Sequence, residues 1–281
     1  MLHITNGEST VASLRESGLP GDFLAWNDPL HDGPVPATAN LAELSEIRAQ
    51  ALSGFGWGSY AEIRAAFAER DARLAGFREH DEVVLWFEHD LYDELQVLQL
   101  LDWFSGQAVD GVALRMIRID SHPEVIPFHG LGQLTGSQLA ALFPGRETVS
   151  VSQLQEGSRR WRLFTSPSHA AVDFLPRMME EYPGPDGLSR TERQLLWAAR
   201  AGAETREEYY LASRKYEDCP WGDSSVYLRL DGLAEGPSPA LLRDSDRYLL
   251  SEFGNAVLSG EAQWGGRGRW IGGVNLQFPA G

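Results

Sequence analysis

Apolar positions along the first two-thirds of the chain keep two rhythms in turn. Short β-rich runs occupy residues 2–5, 23–26, 83–87 and 112–119, with a fifth at 148–151. Between them, over residues 41–52, 60–74, 91–103 and 153–164, apolar residues return every three or four positions, the period of an amphipathic helix. A helix is also expected from an N-cap at Ser9 or Thr10, and a short one over 139–143. The alternation predicts an α/β fold with a Rossmann-like, mainly parallel sheet over about residues 1–165. The run at 83–87 is apolar at every position, as a strand buried on both faces requires. Leu91, Leu95, Leu98, Leu101 and Trp103 mark the buried stripe of the helix that follows it.

A helical pattern continues over 170–182, and then Pro183-Gly184-Pro185-Asp186-Gly187 halts regular structure. A domain boundary is expected there, giving an α/β domain at 1–183 and a second domain at 187–281. The second domain opens with a capping-box spacing, Ser189-Arg190-Thr191-Glu192, ahead of Leu195, Leu196 and Ala199. Two more helices, at about 205–216 and from Asp223-Ser224, precede two β-like pieces at 248–250 and 270–276. Three helices and a β-ribbon predict a winged-helix-like domain.

Composition narrows the class. The chain has 281 residues, 43% hydrophobic and 23% charged, the balance of a globular protein rather than a disordered one. Net charge is −16, and Lys215 is the single lysine. From Pro183 onward 14 acids face 11 bases; before it 26 face 13, so the first domain carries most of the negative charge. Such a chain is repelled by nucleic acid and by anionic membrane unless its few cations share one face. The lone Cys219 permits no intrachain disulfide or thiolate zinc site, which fits a reducing compartment. No apolar run approaches the ~20 residues that span a bilayer, and the first residues lack a signal-peptide pattern. The expectation is a cytoplasmic protein.

Several longer stretches carry a resemblance. Residues 1–9 (MLHITNGES), 26–36 (WNDPLHDGPVP), 83–104 (VVLWFEHDLYDELQVLQLLDWF) and 129–134 (HGLGQL) resemble the bacterial domain of unknown function 1835 family. Residues 187–196 (GLSRTERQLL), 222–230 (GDSSVYLRL) and 269–276 (RWIGGVNL) resemble the carboxy-terminal domain often joined to it. The resemblance spans nearly the whole chain and implies the two-domain organisation. It brings no activity, cofactor or catalytic residue with it.

Ligands of open parallel sheets bind at the carboxyl ends of the strands. Read in order, those ends carry Asn6-Gly7, then Asp28, His31 and Asp32, then Glu88-His89-Asp90, then Asp120 and His122, with His129 further on. Carboxylates beside neutral imidazoles are the ligand set of zinc, manganese or iron. The expected site is therefore a divalent metal centre with Asp28, His31, Glu88 and Asp93 as ligands, and with His89 or Asp32 as general base. Asn6-Gly7-Glu8-Ser9-Thr10 reads as a strand–turn–helix anion cradle, with Arg48 and Arg115 as counter-charges. Together these predict a metal-assisted hydrolase or group transferase acting on a small phosphorylated or nucleotide-like ligand.

Each feature also has a plainer reading. Asp90 and Asp93 fit an N-cap and a first-turn acid, and Asp28-Pro29 and Asp32-Gly33-Pro34 fit Asx-turns. His89 fits a core histidine, His122 and His129 fit loop residues, and the anion cradle fits an ordinary capped turn. Glu88 directly after a buried strand has no such account, because a buried charge is costly unless paired or functional. Trp86 and Trp103 read as core, while Trp26 and Trp57 border the expected cleft. In the second domain Arg229 and a wing at Gly265–Arg269 offer little positive charge, so packing or dimerisation, with a homo-oligomer as one outcome, is favoured over DNA binding. The alternative function is a non-catalytic ligand sensor whose second domain relays to a protein partner, with DNA the less favoured choice.

Overall fold

The alternating rhythms resolve into strands and helices close to where the periodicity places them. The computed structural model describes residues 1–108, 111–168, 174–217, 221–266 and 268–276. It divides into two units, Met1–Ala171 and Val172–Gly281.

The first unit is built on a five-stranded sheet. Its strands are β1 (Leu2–Thr5), β2 (Asp22–Ala25), β3 (Glu82–Phe87), β4 (Ala113–Arg118) and β5 (Glu147–Thr148). Their order is β2-β1-β3-β4-β5. The first four are parallel, and the two-residue β5 closes the edge antiparallel, with Met116 opposite Glu147. The helices are α1 (Glu8–Glu16), α2 (Leu41–Gly54), α3 (Tyr60–Ala75), α4 (Leu91–Ser105), α5 (Gly136–Leu142) and α6 (Val151–Thr165).

β3 shows why a run without polar positions was needed. Successive side chains of a strand point to opposite faces. Val83, Leu85 and Phe87 enter one core with Leu2, Ile4, Leu74, Phe77, Val97 and Leu100. Val84 and Trp86 enter the other with Leu14, Ile117, Leu131 and Leu139. Helices thus cover both faces. His3, on the second face, is a core histidine: its Nε2 lies 3.2 Å from Pro20 O, and its Nδ1 accepts the Trp86 indole N–H at 3.0 Å. Burial lowers its pKa, keeping it neutral. α6 lies close against α4 because residue 157 is glycine; a Cβ there would stand 2.5 Å from Leu101 Cβ.

The second unit has α7 (Pro176–Met179), α8 (Arg190–Arg200), α9 (Arg206–Ser213) and α10 (Asp223–Leu233). The hairpin β6 (Leu241–Asp244)–β7 (Arg247–Leu250), α11 (Glu252–Leu258) and the hairpin β8 (Arg269–Ile271)–β9 (Val274–Leu276) follow. The capping box at Ser189 and Glu192 forms as the spacing predicts.

Two expectations are corrected here. The pieces at 248–250 and 270–276 are not strands of one ribbon: each pairs with its own neighbour, and α11, capped by Ser251, stands between them. The turn at 183–187 lies inside the second unit rather than at its edge. Arg177 of α7 binds Glu181 at 2.7 Å and Glu217 at 3.0 Å, and Asp186 binds Arg193 at 2.7 Å and accepts Trp264 N–H at its carbonyl, 2.9 Å. These bonds tie the segment before the turn to the helices after it. The start of the helix expected at 170, Cys219 and Arg267 lie outside the described residues. Among the described residues no helix is long and apolar enough to cross a membrane.

Candidate functional site

The strand order fixes where a ligand site can form. β1 is followed by β2 on one side, while β3 and β4 lie on the other, so the topological switch point falls between β1 and β3. β1 ends at Thr5, which pairs with Trp86, and β3 runs one residue further, to Phe87. The next residues, Asn6 and Glu88, therefore come together at the crevice that such a switch opens.

Three carboxylates gather there. Glu88 follows β3, Asp90 is the N-cap of α4, and Asp93 lies in the first turn of that helix. One oxygen from each falls within 4.8 Å of the others, and among the described residues this is the group of three acids or histidines placed to hold a metal ion. Asp90 Oδ1 accepts the Asp93 N–H at 2.8 Å, so its capping reading holds as well. Asp93 Oδ2 accepts the Glu88 N–H at 2.6 Å. Asp93 Oδ1 is enclosed and accepts no hydrogen bond. Asn6 Nδ2 donates to Glu88 Oε1 and to Asp93 Oδ2, 3.2 Å each.

Electrostatics follow from the burial. Removal from water, reinforced by the Asp93 charge, pushes Glu88 up to about 9. Removal from water and the Asp90 charge push Asp93 up to about 7. Asp90 is raised too, chiefly by burial. Without a cation, the cluster at neutral pH holds protons that ordinary carboxylates would have released.

The loop after β4 reaches Glu88. Leu131 N–H donates to Glu88 Oε2. Gly130 has φ +154°, and a Cβ on it would lie 2.3 Å from Glu88 Oε1, so the carboxylate occupies the space that a side chain would need. Nothing in the sequence marks residues 130 and 131 as part of the site. The signal available was a glycine in the HGLG stretch; nothing in the order of residues ties it to Glu88.

The other expected ligands lie elsewhere. Asp28 is buried and committed to Arg48: Nη2 donates to its Oδ1 at 2.8 Å and Nε at 3.0 Å. The same guanidinium donates to the carbonyls of Asp32 at 2.6 Å and Pro29 at 2.9 Å. Arg48 therefore pins the 28–34 loop, which corrects both its assignment as a ligand counter-charge and that of Asp28 as a metal ligand. Strand order explains the separation: β1 stands between β2, which leads to Asp28, and β3, which leads to Glu88.

His31 and Asp32 are buried as a pair, Nε2 to Oδ2 3.4 Å, with His31 edge-on to Tyr92. Neither belongs to the acid cluster, although His31 is near enough to offset part of the burial-driven rise in the Asp90 pKa. Tyr92 spans the strand ends, its hydroxyl 2.9 Å from Asn27 Oδ1 and 3.1 Å from Asn6 O. His89 is exposed rather than in the core.

At the α1 turn the N-cap is Gly7, not Ser9 or Thr10, and no side chain caps the helix. Thr10 instead donates to Asn6 Oδ1 at 3.0 Å, and the Ser9 hydroxyl is turned to Gly132 O at 3.5 Å. Arg115 is held by Glu82 and Thr148. Trp26 and Trp57 are packing residues: Trp26 is fully buried with its indole N–H on Gln99, and Trp57 packs on Phe55 between α2 and α3. His122 and His129 sit in the loop, as the plainer reading has it. Compared with protein-family models and with curated proteins, the chain matches none of either.

Proposed function

We propose that the first unit binds a hard divalent cation on Glu88, Asp90 and Asp93 and acts as a metal-assisted hydrolase or group transferase. Its substrate would be a small phosphorylated or nucleotide-like molecule in the β1/β3 crevice. The observation that carries the reading is the convergence of three carboxylates at the switch point, with Asp93 Oδ1 buried and unpartnered. Oxygen-only ligands favour magnesium, manganese or calcium over zinc. That revises the mixed imidazole–carboxylate set expected from sequence.

Held by Glu88, Asp90 and Asp93, such an ion would supply Lewis-acid chemistry toward a phosphoryl group. The chain's own groups divide the remaining work. His89, exposed beside Glu88, is the proposed general base. The first amides of α1, which no side chain caps, would receive an anionic group, and an added Cβ on Gly7 would meet nothing within 4 Å. Elemental analysis of protein purified without chelator or histidine tag, followed by a phosphoester screen, tests the reading. Stoichiometric metal lost in Glu88→Gln, with turnover that depends on it, supports it; no metal uptake by the folded wild-type protein sinks it.

For the second unit we propose a winged-helix-like arrangement. The order α8–α9–α10–β6–β7 and the bridge between Thr205 and Arg247 support it. Its partner is then a protein rather than DNA, because among the described residues Arg229 on α10 and Arg269 are already engaged. Arg229 on α10 lies over Trp221 at 4.4 Å and 3.7 Å from Glu181; Asp231 is bound by Arg206; Arg269 is bound by Glu192 at 2.6 Å. A cytoplasmic location and membership of the domain of unknown function 1835 family belong to the same proposal.

A further inference from the structure

The side chain of Asn6 has all its hydrogen-bonding capacity assigned. Its carbonyl oxygen accepts from Thr10 Oγ1 at 3.0 Å and from Thr5 Oγ1 at 3.3 Å. A carboxamide has one acceptor end and one donor end. With the acceptor end held by two hydroxyls, the NH2 group must face the acids, where it supplies one hydrogen to Glu88 Oε1 and one to Asp93 Oδ2, each at 3.2 Å. Thr10 is itself buried at the first turn of α1, so the orientation is fixed by the fold rather than by solvent.

From this geometry we infer that Asn6 is a positioning residue for the cation site. It clamps the Glu88 and Asp93 carboxylates in one arrangement, and Thr10 sets the direction of the clamp. The inference rests on the cation reading above. In the ionised form that a cation requires, two carboxylates this close repel each other, and rotation of either would spoil the ligand geometry. A neutral donor pair between them opposes that rotation, and it leaves Asp93 Oδ1, enclosed and without a protein partner, as the ligand atom for the ion. Groups that orient metal ligands from behind typically contribute 10–100-fold in affinity.

The test is a double-mutant cycle in the full chain, with Mn2+ affinity read by EPR titration. Asn6→Ala should weaken Mn2+ binding by about 10–100-fold and change the line shape of the bound ion, which a loss of fold stability alone would not do. Thr10→Val, nearly isosteric, should weaken binding by several-fold in the wild-type background. In the Asn6→Ala background it should add no further loss, since the two act through one hydrogen bond. Should Asn6→Ala fail to fold, Thr10→Val alone decides. Wild-type affinity in these variants, with binding still abolished in Asp93→Asn, overturns the positioning role while leaving the cation site standing. No Mn2+ binding by wild-type protein overturns both.

Discussion

Asp93→Asn should make the metal-free protein more stable at alkaline pH, the reverse of what most buried substitutions do. Asp93 is fully buried, and burial with the Asp90 charge beside it lifts its pKa to about 7, roughly three steps above an ordinary aspartate. At about 1.4 kcal/mol per step, ionising Asp93 in the empty site costs at most roughly 4 kcal/mol at pH 8. The substitution removes that charge and keeps the acceptor, since the asparagine carbonyl can receive the Glu88 and Asn6 N–H groups that Oδ2 receives now. The new NH2 takes the place of the buried Oδ1, which has no partner now, and an unsatisfied donor there offsets part of the gain. Loss of an acid from the first turn of α4 subtracts about 0.3–1 kcal/mol. A net gain of roughly 1–3 kcal/mol follows.

The sign of the pH dependence is fixed by the direction of the shift. Both Glu88 and Asp93 have folded pKa values above their unfolded ones, so the folded state binds more protons between about pH 4 and 9. Their contribution is fully present below about pH 4 and is lost as pH rises through about 7 and 9. Thermal melts in EDTA from pH 4 to 9 therefore show the variant gaining on the wild type as pH rises. At about 2–4 °C per kcal/mol, the Tm of the first unit should differ by roughly 3–10 °C at pH 8 and converge toward pH 4. A variant no more stable than wild type at pH 8, or one offset equally at every pH, would refute the reasoning.

Other expectations follow from single contacts. Gly130→Ala puts a Cβ 2.3 Å from Glu88 Oε1, at a φ that alanine resists, and should cost about 2–4 kcal/mol in urea denaturation. Arg48→Met strands the Asp28 carboxylate in the core; a loss of about 3–5 kcal/mol is expected, and Asp28→Asn combined with it should recover part of that loss. Arg229→Ala should lower the stability of the second unit without changing retention on DNA-cellulose at low salt, because the guanidinium is occupied by Glu181 and Trp221. Divalent cation should raise Tm more at pH 8 than at pH 6, since binding must displace protons held by Glu88 and Asp93.

The elements of the first unit were legible because its strands and helices keep their own periods. Glu88 stood out because a carboxylate just after a strand buried on both faces had no structural partner in view. Asp90 was read as a cap, and it is one; that it is also a member of the cluster depends on the path of the chain around α4 and has no mark in sequence. The Arg48–Asp28 pair did leave a signal. Arg48 lies on the stripe of Leu44, Ser45, Ala49 and Leu52, the buried face of α2, where an arginine needs an acid. Residues 130 and 131 reach Glu88 from a loop more than 40 positions later, a proximity that strand order sets. In the second unit, β6 escaped notice because it carries one buried residue and three exposed ones, so no alternating pattern marks it.

The most direct measurement is anomalous diffraction at the manganese edge from crystals grown with Mn2+. The account predicts one strong peak at the β1/β3 crevice, bound by oxygens of Glu88, Asp90 and Asp93, and absent in Asp93→Asn crystals. A peak elsewhere, or none at saturating Mn2+ with the three carboxylates ordered as described, would contradict it.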